Sequence, residues 1–170
     1  MALPKKLKYF NVFVDGTSYI GEAESITLPK LTQKLESYRG AGMPGAVKIN
    51  LGLDDDALDL EYTMGGLTAE IAKLLGGSIN QCNLRFAGGF QKDDSEDFTK
   101  VEINVSGRHK EQDLGELKQG ESSQTKYSMA CTYYRLTIDG EDIIEIDIIN
   151  MVYKVNGVDL LEKARQAIGL

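Results

Sequence analysis

The sequence is poor in the residues from which catalytic and metal sites are built. It contains one histidine, His109, two cysteines, Cys82 and Cys131, and no tryptophan. A zinc site needs three or four ligands, and histidine-based acid–base catalysis needs a partner for the imidazole, so both are excluded. In the charged stretch GRHKEQ we expect His109 to be solvated. The cysteines fall in alternating runs, which predicts reduced, partly buried thiols.

The common catalytic and nucleotide-binding motifs are also absent. The sequence has no P-loop, no G-x-S-x-G, no H-E-x-x-H and no C-x-x-C. The Gly-Gly pairs at 65–66, 76–77 and 88–89 lack the spacing of a dinucleotide fingerprint and indicate turns. The acidic pairs at 54–55 and 93–94 lack the alternating ligands of a calcium loop. We therefore expect a protein that is not an enzyme and has no cofactor and no metal site.

Long hydrophobic runs are missing as well. No apolar run approaches the roughly 20 residues needed to span a bilayer. The N-terminal stretch MALPKKLKYF has lysines but no apolar segment after them, so it does not resemble a secretory signal. The sequence predicts no membrane anchor and a protein made and kept in the cytoplasm unless it leaves as part of an assembly.

Positive charge is scarce relative to negative charge. The formal net charge is -7, which argues against nonspecific adhesion to nucleic acid or anionic lipid, since both depend on basic patches. Most of the acidity lies in the middle and the C-terminal part of the chain. A solvated face and a functional face both remain possible interpretations of this imbalance.

What the sequence does contain is a series of alternating strand patterns. At 170 residues it fits one domain, and 18 glycines against 3 prolines indicate many tight turns. From Phe98 the alternation is cleanest, with Val101, Ile103 and Val105 on one face, and we expect a loop from Gly107 to Gln124. Thr68 to Leu75 has helical periodicity and is followed by Gly76-Gly77, so one short helix should cover the sheet. The prediction is a mainly β fold, an antiparallel β-sandwich or barrel.

The C-terminal region from Tyr127 to Leu161 predicts a strand, a turn, a strand, a turn and a helix. Asp139-Gly140 lies between the strands as a hairpin signal. We expect a three-residue loop with Gly140 in a bulge, because that register places the isoleucines of the second strand on one apolar face. Those isoleucines, 144, 146 and 148, would share the face with Thr132, Tyr134, Leu136 and Ile138. Asn156-Gly157 predicts a second turn, and Asp159 is placed to cap the C-terminal helix.

A glycine-rich segment, RGAGMPG at 39–45, joins two runs that alternate in polarity. It predicts a mobile loop tip around Met43 at the end of an extended arm, which we place at residues 30–62. Such an arm cannot bury much surface against its own domain. It would be a solvated flap in a monomer, or would reach a neighbour in an oligomer.

Several blocks of the sequence resemble one family, in order and over nearly the whole chain. The N-terminal blocks are NVFVDGTSYIGEAESITLPKL and ESYRGAGMPGAVKINLGL, and the C-terminal blocks are YYRLTIDG, EIDIIN, VNGVDLL and the terminal IGL. Together they resemble the major tail tube protein of contractile-tailed phages and R-type tailocins. The resemblance implies a single tail tube domain over 1–170, hexameric rings stacked into a tube inside a contractile sheath, and an arm that contacts adjacent subunits.

The resemblance also implies partners and a location. The partners would be further copies of the chain, the sheath protein, and the baseplate, tape-measure and tail terminator proteins. Assembly would take place in the host cytoplasm, and the product would be a virion or tailocin tail. The lumen would conduct DNA in a phage or serve as a puncturing channel in a tailocin. The arm residues expected at subunit contacts are Tyr38, Arg39, Gly40, Gly42, Met43 and Pro44.

A sheet with free edges can be completed by several copies that close a barrel, which leaves polar residues inside a channel. An inner wall without excess positive charge would let DNA pass rather than bind it. On a monomer the same residues would face bulk solvent. The candidates for this inner surface are Asp59, Glu61, Arg85, Gln91, Lys100, Glu102, Asn104 and Ser106.

Two other functions remain open at this point. The tube subunit of a type VI secretion system would have a similar fold and ring, although the blocks ITLPKL and VNGVD favour the phage family. A monomeric β-barrel that binds a small ligand would need an apolar cavity, whereas the alternation provides a polar face.

Overall fold

The computed structural model describes residues 1–170 and shows a mainly antiparallel β fold with two short helices, as the sequence predicts. Its elements, in chain order, are β1 Lys6–Val14, β2 Thr17–Ser18, β3 Ala23–Thr27, β4 Gln33–Tyr38, β5 Val47–Leu53, β6 Asp59–Met64, α1 Ala69–Ala72, β7 Cys82–Gln91, β8 Phe98–Asp113, β9 Thr125–Ile138, β10 Glu141–Asp147, β11 Val152–Val155, β12 Val158–Asp159 and α2 Glu162–Ala167.

One large sheet contains all strands except β4 and β5. Its main path runs β12-β11-β10-β9-β8-β7-β1-β2, and β6 pairs with the first half of β9 and with β3. The long strands β8 and β9 pair along nearly their whole length, with bulges between Ser106 and Gly107 and between His109 and Glu111. Because bulges bend a strand, the sheet folds over itself at this point.

The core lies between the folded halves of this sheet. It is a single cluster of 17 buried hydrophobic residues contributed by strands from β1 to β10 and by α1. Alternation along the strands directs these side chains inward, for example Leu84 and Phe86 in β7 and Ile103 and Val105 in β8. The interior is therefore filled by the protein's own side chains, which gives no support to a ligand-binding barrel.

Strand β8 is longer than the sequence predicts. The expected loop after Gly107 begins only beyond Asp113, because β8 continues to pair with β9 through the charged segment 108–113. Gly107 allows this close pairing, since a Cβ at this position would lie 2.2 Å from the carbonyl oxygen of Ala130. The alternation of Val105, Gly107 and His109 indicates that the strand continues, but the charged residues around His109 obscured this pattern.

The expectation that His109 is solvated is wrong. Its side chain is 1% exposed, and its Nε2 lies 2.6 Å from the hydroxyl of Tyr62. The ring also meets Tyr127 edge-on, with centroids 6.0 Å apart. Burial raises the pKa of Tyr62, which keeps the phenol neutral and able to donate its proton to Nε2.

This environment makes the fold sensitive to mild acid. Burial lowers the pKa of His109, partly offset by Asp15, and its Nδ1 has no acceptor within the protein. Below the ordinary pKa of about 6.5 the unfolded chain takes up a proton that the folded chain resists. We expect stability to fall with pH from about 6.5 downward, by at most about 1.4 kcal/mol per pH unit from this residue.

Thermal melts at pH 7 and pH 5 test this expectation in the wild type and in His109→Gln, which has no titratable ring. The variant should lose less stability between the two pH values than the wild type does. Equal losses in both proteins would contradict a role for His109 in the pH dependence.

In the C-terminal hairpin the strands have the predicted faces, but the turn and the register that produce these faces differ from the prediction. Asp139 and Gly140 both have positive φ, 49° and 82°, and form a two-residue turn instead of a three-residue loop. A bulge between Asp142 and Ile144 then shifts the register, so that Ile144 pairs with Leu136 and Ile146 with Tyr134. Ile148 is the exception: it lies beyond the end of β10 and is exposed.

The first helix is shorter than expected, whereas the second is short, as predicted. The predicted helix from Thr68 to Leu75 is a single turn, α1, because the Gly76 N–H donates to the carbonyl of His109 and Leu75 forms a bridge with that strand. The N-terminal residue of α2 is capped by no side chain, so the prediction for Asp159 is wrong in detail. Its carboxylate instead accepts the backbone N–H of Leu161 at 3.1 Å and pairs with Arg165.

The arm is a separate two-stranded ribbon of β4 and β5. It spans residues 33–53, whereas 59–62, which we expected to be part of the arm, lies in β6 within the main sheet. Near the base of the ribbon, Gln33 Nε2 donates to the hydroxyl of Tyr153 at 2.7 Å. No helix of the protein is long and apolar enough to cross a membrane.

Candidate assembly surfaces

The outward face of β7, β8 and β9 is polar and carries most of the predicted inner-wall residues. The pairing places Arg85, Asn104 and Arg135 in one row across the three strands, and Ala87, Glu102 and Thr137 in the next. Because alternate residues of a strand point to opposite faces, these rows lie opposite the core. We call this surface the polar face; it contains the predicted residues Arg85, Lys100, Glu102, Asn104 and Ser106.

Charges on the polar face are paired locally. Glu102 contacts Lys100 at 3.1 Å and Arg85 at 3.5 Å. Arg135 binds Asp142 through two nitrogens, at 3.0 and 2.9 Å, and this pairing lowers the pKa of Asp142. Each basic group thus has a carboxylate beside it, with Glu102 shared by Lys100 and Arg85, and the face has no unbroken basic patch.

Aromatic rings support this charged surface. The guanidinium of Arg85 stacks on the ring of Phe13 with its central carbon 4.0 Å from the ring centroid. Tyr133 and Arg135 line the same shallow depression as Phe13 and Arg85. Sequence reasoning missed Tyr133 and Arg135 as members of this face, although they alternate with the buried Tyr134 and were therefore detectable.

Two of the other predicted inner-wall residues lie apart from this group. Asp59 and Glu61 are on β6, beyond the bulges, where Asp59 binds Lys110 at 2.8 Å and Glu61 accepts a hydrogen bond from Ser128 at 3.3 Å. Gln91 is at the end of β7, paired with Phe98 on one side and Lys6 on the other, and by strand alternation it lies on the same face as Arg85. The structure therefore brings five of the eight predicted residues together and places a sixth, Gln91, on the same face beyond them.

The tip of the ribbon is compact. The Gly40 N–H donates to the sulfur of Met43 at 3.0 Å, and Arg39 donates to the carbonyl of Pro44 at 3.4 Å. Met43 is consequently only partly exposed, whereas Tyr38 at the end of β4 is exposed. Gly42 has φ 81°, a conformation that favours glycine. The predicted contact residues thus form one ordered turn.

Residues 4–169 match the family model described as phage tail tube protein FII. The chain belongs to this family. It is 53% identical to the "Tail tube protein" of Escherichia phage P2, with all of both chains covered. It is 43% identical to the "Major tail tube protein" of Serratia phage KSP20, with 100% of this chain and 99% of the other covered.

One solved structure is similar to this chain in its fold. A chain of the cryo-EM structure of the anti-feeding prophage (AFP) baseplate superposes with a TM-score of 0.55 at 12% identity, over 81% of this chain and 97% of the other. Family membership confirms the predicted resemblance. The chain is a structural subunit of a phage tail tube, a component of the virion tail and not an enzyme.

Proposed function

We propose that copies of this tail tube protein form hexameric rings, and that these rings stack into the inner tube of a contractile tail. The observation that carries the proposal is an open sheet edge next to a polar face. From Lys6 to Asn11, β1 pairs with β7 only, and β2 covers no more than Phe13 and Val14. An edge of this kind is completed by another chain in an assembly.

The polar face supports a role as the wall of the lumen. Its residues are charged or hydrogen-bonding, and its arginines and lysine are paired with carboxylates. Because DNA is held largely by the release of counterions at basic patches, a wall with paired charges lets DNA slide past. In this proposal the DNA passes through the tube, and Asp59, Glu61 and Gln91 face the lumen near the edges of the wall.

The ribbon supports a role in contacts between subunits. It pairs with no other strand of its own chain, so residues 38–44 at its tip are available to a neighbouring ring. Around this tube we place the sheath protein, with the baseplate, tape-measure and tail terminator proteins at the ends and inside. Subunits would assemble in the host cytoplasm and remain in the virion tail.

Negative-stain electron microscopy of the purified protein, with its mass from light scattering, tests the proposal. We expect hollow rings with six subunits, and stacked tubes at higher protein concentration. A stable monomer at every concentration, including in the presence of the baseplate, would contradict it.

A further inference from the structure

Asn156-Gly157 forms the turn between β11 and β12, and it is the only Asn-Gly pair in the sequence. Both residues are exposed, and both have positive φ, 52° and 77°. In an Asn-Gly pair the glycine has no side chain to shield its backbone nitrogen from the side-chain amide that precedes it. The turn therefore places a nucleophile and an electrophile side by side in solvent.

No hydrogen bond within the protein restrains the reacting groups of this turn. The side-chain amide of Asn156 has no partner, and neither the carbonyl of Asn156 nor the N–H of Gly157 has one. The space around Gly157 is open, with no atom within 4 Å of an added Cβ. The peptide group between the two residues can consequently rotate until the nitrogen of Gly157 faces Cγ of Asn156.

Two similar turns are held by their side chains. Asp15-Gly16 and Asp139-Gly140 also have both φ values positive. Asp15 Oδ1 accepts the backbone N–H of Asn83 at 3.0 Å, and Asp139 Oδ1 accepts that of Lys100 at 2.9 Å. A carboxylate is also a poorer electrophile than an amide, so neither turn matches Asn156-Gly157 in reactivity.

The other six asparagines are protected by their surroundings. Each precedes valine, leucine, glutamine or methionine, whose side chain crowds the backbone nitrogen. Asn104 lies within β8, which is paired on both sides, so its backbone cannot rotate. The remaining five have their side-chain amide in a hydrogen bond: Asn11, Asn50, Asn80, Asn83 and Asn150.

We propose that Asn156 is a site of spontaneous deamidation. The backbone nitrogen of Gly157 loses its proton to solvent and attacks Cγ of Asn156. The new N–Cγ bond closes an imide ring, and the side-chain nitrogen takes up a proton and leaves as ammonia. Water then opens the imide: cleavage at Cγ gives aspartate, and cleavage at the main-chain carbonyl gives isoaspartate. The reaction needs no enzyme and no second copy of the chain, so it is independent of the assembly proposed above.

The isoaspartate product loosens the end of the chain. Strands β11 and β12 are joined by only two residue pairs, and an extra main-chain carbon in a two-residue turn shifts this short ladder. Asp159 then moves away from Arg165, which also donates to the carbonyl of Met151 at 2.7 Å and so attaches α2 to the rest of the fold. We expect residues 158–170 to detach.

Peptide mapping by mass spectrometry tests the site. The purified protein is incubated at pH 9 and at pH 6 and digested with trypsin, with an unincubated sample as the reference. Trypsin releases residues 155–163 as one peptide that contains no other asparagine. At pH 9 we expect Asn156 to deamidate at least about tenfold faster than any other asparagine, a barrier difference of about 1.4 kcal/mol.

The reaction should be slower at pH 6, because the attacking nitrogen must lose its proton. A peptide 155–163 that is unchanged after incubation at pH 9, or equal rates at all asparagines, would overturn the proposal.

Two variants separate the chemistry from its structural effect. Asn156→Gly has no amide and suits the positive φ, so its turn should neither change in mass nor lose protection from hydrogen exchange. Asn156→Asp has the charge of the product on a normal backbone and should also retain this protection. Only the isoaspartate fraction of the wild type, separated by chromatography, should lose protection over 158–170. Full protection in that fraction, or lost protection in Asn156→Asp, would contradict the proposed detachment.

Discussion

Removal of residues 40–45 will abolish stacked tubes and leave the subunit folded. The deletion takes away the ordered turn around Met43 and Pro44, which is the part of the ribbon that projects farthest from its base. Because Tyr38 pairs with Val47, the shortened chain retains a two-residue connection between β4 and β5. With Arg39→Asn and Ala46→Gly this connection becomes an Asn-Gly turn, which the ribbon geometry favours.

The measurement is microscopy of the deletion variant at a concentration at which the wild type forms tubes, together with a thermal melt. We expect no stacked tubes and a melting temperature within a few degrees of the wild type, since the ribbon pairs with no other strand. Ala41→Ser is the matched control, because it retains the loop length at an exposed position. Tubes of normal length from the deletion variant would show that the ribbon tip is not part of the stacking contact.

Gly107→Ala will cause the largest loss of stability expected from a single added methyl group. The new Cβ would lie 2.2 Å from the carbonyl oxygen of Ala130 and 2.6 Å from Cα of Cys131. Both are backbone atoms, so no side-chain rotation can relieve the overlap, and β8 must move away from β9. We expect a loss of about 3 kcal/mol, the upper range for overpacking, and a fall in melting temperature of roughly 6 to 12 °C for a chain of this size.

Gly66→Ala is the control for the Gly107 prediction. Gly66 has no atom within 4 Å of an added Cβ and no positive φ, so the substitution should change stability by less than about 0.5 kcal/mol. Equal melting temperatures for the two variants would show that β8 and β9 are not held as closely at Gly107 as the structure indicates.

Local patterns predicted much of the fold. Alternation identified the first half of β8, and the predicted turns at Asp139-Gly140 and Asn156-Gly157 both form with both φ values positive, as does a turn at Asp15-Gly16. The pattern failed where charge conceals a strand, as in 108–113, and where a bulge changes the register, as at Asp142. Both are consequences of pairing with a distant strand, which no short stretch of sequence records.

Prediction of the candidate surfaces from the sequence was limited in the same way. Arg85, Glu102 and Asn104 were placed together because they alternate along two neighbouring strands. Asp59 and Glu61 obey the same alternation, but the bulges in β8 and β9 separate them from that group. An apolar depression lined by Tyr9, Ile20 and Phe98 was not predicted, because Phe98 is distant in the chain from the other two and only the folded sheet brings them together.

The free ribbon has a consequence for the size of the polymer. If the ribbons of each ring contact the next ring, every added ring exposes the same unsatisfied surfaces as the ring before it. The subunit therefore carries no information about when growth should stop. The length of the tube must be measured by another molecule, and a variant that strengthens the contact should change the rate of growth without changing the length at which tails are finished.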